Sequence, residues 1–286
     1  MKHVTALPKL PPRPAEGHKG MFGRLLVIGG NDEMVGAPVL AGTSALRFGA
    51  GLVQIAVPRS ILAACLSITP ELIGLGLGRI AGKDKLVEAA EAADAVVIGP
   101  GLGQSAAARS RLSAITRLDG KPMVVDADGL NMLAEGKTWP EAFKARAVLT
   151  PHPGEMKRLV NLIGRDSVPS DERGRIDIAG DASRAFNQVL VLKGFHTVIT
   201  DGVRMHVNDT GDSSLSKAGT GDVLSGIIGT LLGQKMDGFD AATAAVWIHG
   251  RAGELAGQRL TRRCVLAWDV IETLPEAIRQ YEQLTA

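Results

Sequence analysis

The chain has 286 residues, 45% hydrophobic and 22% charged, proportions that exclude a collagen-like, disulfide-scaffold or disordered protein and predict a conventional buried core. Lys and Arg number 32 against 30 Asp and Glu, a net charge of +2, which leaves no electrostatic footprint for nonspecific nucleic-acid binding or an anionic membrane surface. The unusual count is 35 Gly beside 6 Phe, 3 Trp and 1 Tyr, so the position of each glycine along the chain carries the reading.

Residues 1–20 contain Pro8, Pro11, Pro12 and Pro14, which suit neither a helix interior nor a central strand and predict an extended arm. The arm lacks the apolar run of a signal peptide or membrane span. Cys65 and Cys264 are far apart, outside any metal-binding spacing, and read as reduced thiols of a soluble cytoplasmic protein. His18-Lys19-Gly20 reads either as a phosphate contact from the arm or as an exposed turn. From residue 21 onward apolar runs recur at Leu25–Ile28, Leu52–Val57, Ala95–Ile98, Met123–Val125, Ala147–Leu149 and Val189–Leu192, each the length of a buried parallel strand. Amphipathic stretches near 37–48, 83–93, 105–117 and 154–163 alternate with them, the order of an open α/β sheet. His196–Thr200 and Arg204–Val207 flank Asp201-Gly202 and predict a hairpin with a two-residue turn. Val223–Leu232, Ala241–Ala256 and Asp269–Glu282 are helical by periodicity. No repeat and no Gly-, Ser- or Pro-rich linker interrupts 21–286, so a single domain is predicted there.

The glycines follow the strand runs: Gly29-Gly30, Gly99 with Gly101 and Gly103, Gly129, Gly154 and Gly194. In a parallel sheet those points lie at the carboxyl ends of strands, where such sheets bind ligands, and bare backbone N–H groups there suit phosphate. The sharpest segment is Gly219-Thr220-Gly221-Asp222, leading into an apolar helix. Free first-turn N–H groups and the helix dipole attract an anion. Asp222 reads either as an ordinary carboxylate at a helix start or as a base taking a proton from a substrate hydroxyl that attacks a phosphoryl group. No GxxxxGK[ST] loop occurs, so a Walker-type site is excluded.

These blocks carry a resemblance. Gly23–Gly30, Gly36-Ala37-Pro38, Arg47–Val53, Gly99–Gly103, Asp126–Asn131, Thr150–Glu155, Lys193–Thr197 and Gly219–Leu224 resemble, in order and over nearly the whole chain, the NAD(P)H-hydrate dehydratases of the ribokinase-like superfamily. The resemblance implies a ribokinase-like three-layer α/β/α domain with a central, mostly parallel sheet. It implies an enzyme that uses ADP (bacterial type) or ATP (eukaryotic type), with Mg2+, to dehydrate the S-epimer of NADH or NADPH hydrate through a phosphorylated intermediate, with the epimerase as functional partner and a tendency to form homotetramers. Carried over residue by residue, it assigns Asp222 as general base at the substrate hydroxyl, Gly219, Thr220 and Gly221 to the anion hole, and Lys193, Gly194, Phe195, His196 and Thr197 to the nucleotide loop. Ala37, Gly103 and His152 match substrate-contacting positions, and Glu155 a glutamate near magnesium in related kinases.

Other roles stay open. His152 also suits a helix cap, His249 a hydrogen-bonded core histidine, and Asp126 and Asp128 either orient a water or metal or cap a turn. The sequence departs from the family pattern at Thr210-Gly211-Asp212, at Ala218 where glycine is usual, at Lys217, and at Glu254 where aspartate is common. The competing readings are a hydroxyethylthiazole-kinase-type small-molecule kinase, against which Gly36–Pro38 and Gly99–Gly103 stand, and a nucleotide-binding module without catalysis, against which the retained Asp222 stands.

Overall fold

The computed structural model of the chain describes residues 1–78, 83–136, 139 and 142–286. Its apolar runs form strands because both faces of each run are covered, which suits continuous aliphatic segments. The strands are β1 (Lys2–His3), β2 (Arg24–Ile28), β3 (Leu52–Pro58), β4 (Ile73–Leu77), β5 (Ala95–Ile98), β6 (Pro122–Val125), β7 (Arg146–Leu149), β8 (Val189–Leu192), β9 (Val198–Thr200) and β10 (Arg204–Val207). Together they make one sheet in the order β1-β10-β9-β8-β7-β6-β5-β2-β3-β4. From β4 to β8 every pairing is parallel, and β9 is antiparallel to both β8 and β10.

Helices α1 (Gly36–Phe48), α2 (Arg59–Ile68), α3 (Lys83–Ala92), α4 (Ala106–Ile115), α5 (Asp128–Glu135), α6 (Pro153–Val160), α7 (Glu172–Phe186), α8 (Thr220–Gly233), α9 (Gly238–Leu260) and α10 (Ala267–Thr285) cover both faces. Successive strand residues point to opposite faces. Leu25, Val27 and Val97 therefore pack with α1, α2 and α8–α10, while Leu26, Ile28 and Val96 pack with α3–α7. This is the three-layer arrangement expected, and among the described residues no helix is long and apolar enough to cross a membrane.

The chain runs from β2 through β3 to β4, then returns to β5 on the other side of β2. Connections thus leave β2 and β5 in opposite directions, opening a crevice at their carboxyl ends. Gly30 donates its N–H to the Pro100 carbonyl (2.9 Å) across that crevice.

Several elements lie outside the sequence expectations. Strand β4 reads Ile-Gly-Leu-Gly-Leu, without an apolar run; a Cβ on Gly74 would fall 2.7 Å from Leu62 and one on Gly76 2.8 Å from Arg59, so its glycines admit α2. Helices α2, α5 and α7 were not among those predicted. Thr200 pairs with Met205, so the hairpin turn centres on Gly202-Val203, one residue later than expected, with Gly202 at φ +87°. Residues 1–20 run over the surface: β1 adds beside β10, the Tyr281 hydroxyl donates to the Pro8 carbonyl (2.6 Å), and Arg13 lies over the Phe22 ring. His18 caps a short turn by accepting from Gly20 N–H. The Lys19 carbonyl packs against Gly51, just before β3, which puts this turn at the amino edge of the sheet, away from the crevice.

Candidate active site at the carboxyl edge of the sheet

Helix α8 starts without a side-chain cap. Its N-cap Gly219 sits at φ +90°, where a side chain would strain the backbone and where a Cβ would strike Leu40. The N–H groups of Gly221 and Asp222 take no backbone acceptor among the described residues. They remain free donors at the positive end of the helix. Gly221 has no side chain to block this mouth; a Cβ there would meet the Lys193 Nζ at 3.4 Å.

Lys193, at the end of β8, forms an ion pair with Asp126 from the end of β6 (2.8 Å). Asp126 is 2% exposed, and its second oxygen accepts from the Ser225 hydroxyl on α8 (2.7 Å). Burial would raise the Asp126 carboxyl, but Lys193 and these hydrogen bonds outweigh it and hold the group below the usual range. Lys193 is desolvated too, yet Asp126 and Glu155 keep its ammonium more firmly protonated than usual. Asp126 is thus the counter-charge of Lys193. Its neighbour Asp128 accepts from the Gly103 N–H (2.8 Å) and so ties the glycine loop after β5 to α5.

Asp222 behaves differently. Its carboxyl is pushed up to about 8, first by burial and then by the negative charges of Asp126 and Glu155, against the pull of Lys193. It has no hydrogen-bond partner among the described residues and is not sealed off. Glu155, 5% exposed, is raised as well, mainly by burial and in part by Asp126.

His152 is the N-cap of α6. Its Nδ1 accepts from Gly154 N–H (3.0 Å), while Glu155 Oε2 accepts from the His152 N–H (2.8 Å), a reciprocal capping box. Its ring remains exposed, so capping and ligand contact are compatible. Burial and the nearby Lys193 depress its pKa, which keeps it neutral. Ala37 and the Gly99–Gly103 loop meet across the crevice, where a Cβ on Gly101 would lie 3.1 Å from that of Ala37.

The loop Lys193–Thr197 is shaped from beneath by Arg175 of α7, a residue no sequence signal marked. Its guanidinium donates to the carbonyls of Phe195 (2.5 Å), Leu192 (3.2 Å) and Lys193 (3.3 Å). With its carbonyls drawn down, the loop leaves the N–H groups of Gly194, Phe195 and His196 unpaired among the described residues. Gly194 at φ +146° and His196 at φ +54° make the bend, and Phe195, 74% exposed, stacks on the His196 ring. Between this loop and α8 lies a cavity of about 360 Å³ whose lining includes Lys193, Thr197, Gly221, Leu224 and His249. The divergent segment 210–218 forms its far wall, held by Glu254 through the Gly211 N–H (2.7 Å). Among the described residues no three His, Cys, Asp or Glu side chains converge as a ready-made metal site. The arrangement offers free N–H donors, one cation and one unpaired carboxyl of raised pKa: the parts that transfer of a phosphoryl group to a hydroxyl requires.

A family model described as NAD(P)H-hydrate dehydratase matches residues 25–276. The chain is 38% identical over 284 residues to a bifunctional NAD(P)H-hydrate repair enzyme of Moorella thermoacetica, covering 96% of this chain and 53% of that protein. It is 40% identical over 270 residues to the enzyme of the same description from Escherichia coli, covering 94% and 50%. The chain thus spans about half the length of these curated relatives. Among solved structures it resembles an ADP/ATP-dependent NAD(P)H-hydrate dehydratase from Bacillus subtilis co-crystallized with ATP and Mg2+, with a TM-score of 0.82, 33% identity, and 96% and 95% of the two chains covered. A hydroxyethylthiazole kinase from Pyrococcus horikoshii, at TM-score 0.64 and 20% identity over 90% and 91% of the chains, shares the fold.

Proposed function

The chain belongs to the NAD(P)H-hydrate dehydratase family, and on that premise we propose that it converts the S-epimer of NADH or NADPH hydrate to the reduced cofactor at the expense of ADP or ATP. Residues 21–286 act as one catalytic domain, and an epimerase supplies the reactive epimer. The observation that carries the reading is the unpaired Asp222 carboxyl, raised to about 8, at the uncapped start of α8.

Asp222 takes the proton of the hydroxyl on the hydrated nicotinamide ring, and the freed oxygen attacks the terminal phosphoryl group of the nucleotide. The N–H groups of Gly221 and Asp222, with the Lys193 ammonium, stabilise the charge that gathers on the phosphoryl oxygens. With ADP the leaving group is AMP. The phosphate on the ring then departs, driven by the ring nitrogen's electron pair, and the adjacent ring carbon gives up a proton to restore the dihydronicotinamide. Ala37 and Gly103 at the β2/β5 crevice, with His152 at the start of α6, bind the hydrate, while the Lys193–Thr197 loop binds the nucleotide. Magnesium, when bound, neutralises phosphate charge. Asp126, Glu155 and, once it ionises, Asp222 surround one ammonium, and that negative excess fits a divalent cation held by Glu155, phosphate oxygens and water.

The test is to incubate the protein with enzymatically hydrated NADH, Mg2+ and either ADP or ATP, and to follow the dihydronicotinamide absorbance together with AMP or ADP release. Absorbance returns with one nucleotide, and Asp222→Ala abolishes the return while nucleotide binding persists. No recovery with either nucleotide refutes the proposal.

A further inference from the structure

His249, on α9, is 7% exposed and plays no part in the chemistry above. Its Nε2 lies 2.9 Å from the carbonyl oxygen of Thr220, the first residue of α8. A carbonyl can only accept, so Nε2 carries the proton, and burial, with a smaller contribution from Lys193, lowers the imidazole pKa to about 4. The ring is therefore neutral, with a lone pair on Nδ1. That nitrogen has no partner among the described residues and is not sealed from solvent, and the residue lines the cavity between α8 and the Lys193–Thr197 loop.

Hydroxyls around the cavity do not serve it. The Thr220 hydroxyl donates to the Leu215 and Lys217 carbonyls, that of Thr210 to the Trp247 carbonyl, and that of Thr197 to the Gly194 carbonyl. At the phosphate end the cavity presents donors: the Lys193 ammonium and backbone N–H groups. An acceptor with no proton of its own repels phosphate oxygens and matches a neutral O–H or N–H. Leu224 and Val246, which also line the cavity, give it an apolar wall beside His249, suited to a nucleoside rather than to phosphate.

We propose that His249 is a specificity-determining residue of the nucleotide site, its Nδ1 accepting a hydrogen bond from a ribose hydroxyl or the exocyclic amine of the nucleoside half. The inference rests on the reading of this cavity as the nucleotide site. A buried acceptor left unmatched is costly, so the contact discriminates against nucleotides that lack the donor.

The experiment measures the binding of ADP, inosine diphosphate, 2′-deoxy-ADP and 3′-deoxy-ADP to the whole protein by calorimetry. Loss of one neutral hydrogen bond corresponds to about tenfold in affinity, so one of the three analogues binds the wild type about tenfold more weakly than ADP. The amine is the donor if that analogue is inosine diphosphate, and a hydroxyl if it is a deoxy form. His249→Gln keeps a donor for the Thr220 carbonyl but removes the Nδ1 acceptor, and in it that discrimination falls to within about twofold. His249→Asn, which keeps an acceptor near Nδ1 and loses the Thr220 bond, retains it. Equal binding of all four nucleotides by the wild type, or unchanged ratios in His249→Gln, overturns the assignment while leaving the nucleotide site intact. Absence of ADP binding to the wild type overturns the nucleotide-site reading itself, and this assignment with it.

Discussion

The pH dependence of catalysis tests the role of Asp222 most directly. A carboxyl near pH 8 is about one-tenth ionised at pH 7 and about one-hundredth at pH 6. If Asp222 takes the substrate proton, kcat/KM for the hydrate rises about tenfold between pH 6 and 7 and levels off above about 8.5, because this parameter reports the free enzyme. Asp126→Asn removes a negative charge that raises Asp222 and frees Lys193 to act on it, so the rising limb moves to lower pH. Stability carries the same signature with the opposite sign. Folding raises the Asp222 pKa above its ordinary 3.8, so the folded state prefers the protonated carboxyl. The stabilisation is complete below about pH 4 and is lost as pH climbs towards 8; the loss has reached about 4 kcal/mol by pH 7. Asp222→Asn lacks this dependence, so the melting temperature of the wild type falls relative to the variant between pH 5 and 8. A kcat/KM flat from pH 6 to 9, or parallel melting curves for the two proteins, refutes a buried base of raised pKa.

Four further outcomes are expected. Lys193→Met leaves the Asp126 carboxylate buried without a counter-charge, held only by neutral donors such as the Ser225 hydroxyl and the Ala127 N–H, which costs about 3 kcal/mol in chemical denaturation and weakens ADP binding. Arg175→Ala releases the Lys193 and Phe195 carbonyls of the loop and that of Leu192 at the end of β8, so KM for the nucleotide rises about tenfold while kcat stays within about threefold; a large fall in kcat with KM unchanged counts against Arg175 as a loop support. Ala127 sits at φ +48°, ψ −121°, so Ala127→Gly relieves strain and raises stability by about 1 kcal/mol in urea unfolding. On Gly226 of α8 a Cβ would come 2.1 Å from the Ala41 carbonyl oxygen of α1, and Gly226→Ala lowers stability by about 3 kcal/mol, read as a loss in melting temperature.

How far the sequence is legible follows from which residues speak locally. The six apolar runs became β2, β3 and β5–β8 because both faces are buried, a condition visible in each segment alone. Strand β4 was hidden because Gly74 and Gly76 occupy its α2 face, and a requirement imposed by Leu62 and Arg59 leaves no trace in β4 itself. Helix α7 was hidden because Glu172-Arg173-Gly174-Arg175 opens it with polar residues and a glycine. The glycine excess proved to have two sources. Gly99, Gly101, Gly194 and Gly219 serve bends at the carboxyl edge with φ above zero, as the sequence suggests. Gly226 and Gly250 instead mark close approaches, where a Cβ would collide with Ala41 and Thr210; nothing in their flanking residues announces that contact. Arg175, Ser225 and the Asp126–Lys193 pair depend on residues 17 to 99 positions apart meeting at one edge, beyond the reach of spacing rules.

The choice between the two sequence readings of Asp222 turns on sign. A carboxylate present only to complete a helix start accepts from the first-turn N–H groups and benefits from the dipole, and both effects lower its pKa. Asp222 has no such bond, and its carboxyl is raised from 3.8 to about 8. Desolvation and the neighbouring Asp126 and Glu155 charges therefore outweigh the favourable end of the helix. A residue kept for stability gains nothing from that placement, since its ionisation works against the fold. Its first-turn N–H groups, left free by the same lack of a cap, are open to an incoming anion. The energy held in the uncompensated carboxyl is released when it takes a proton, which is the property a base opposite a substrate hydroxyl needs.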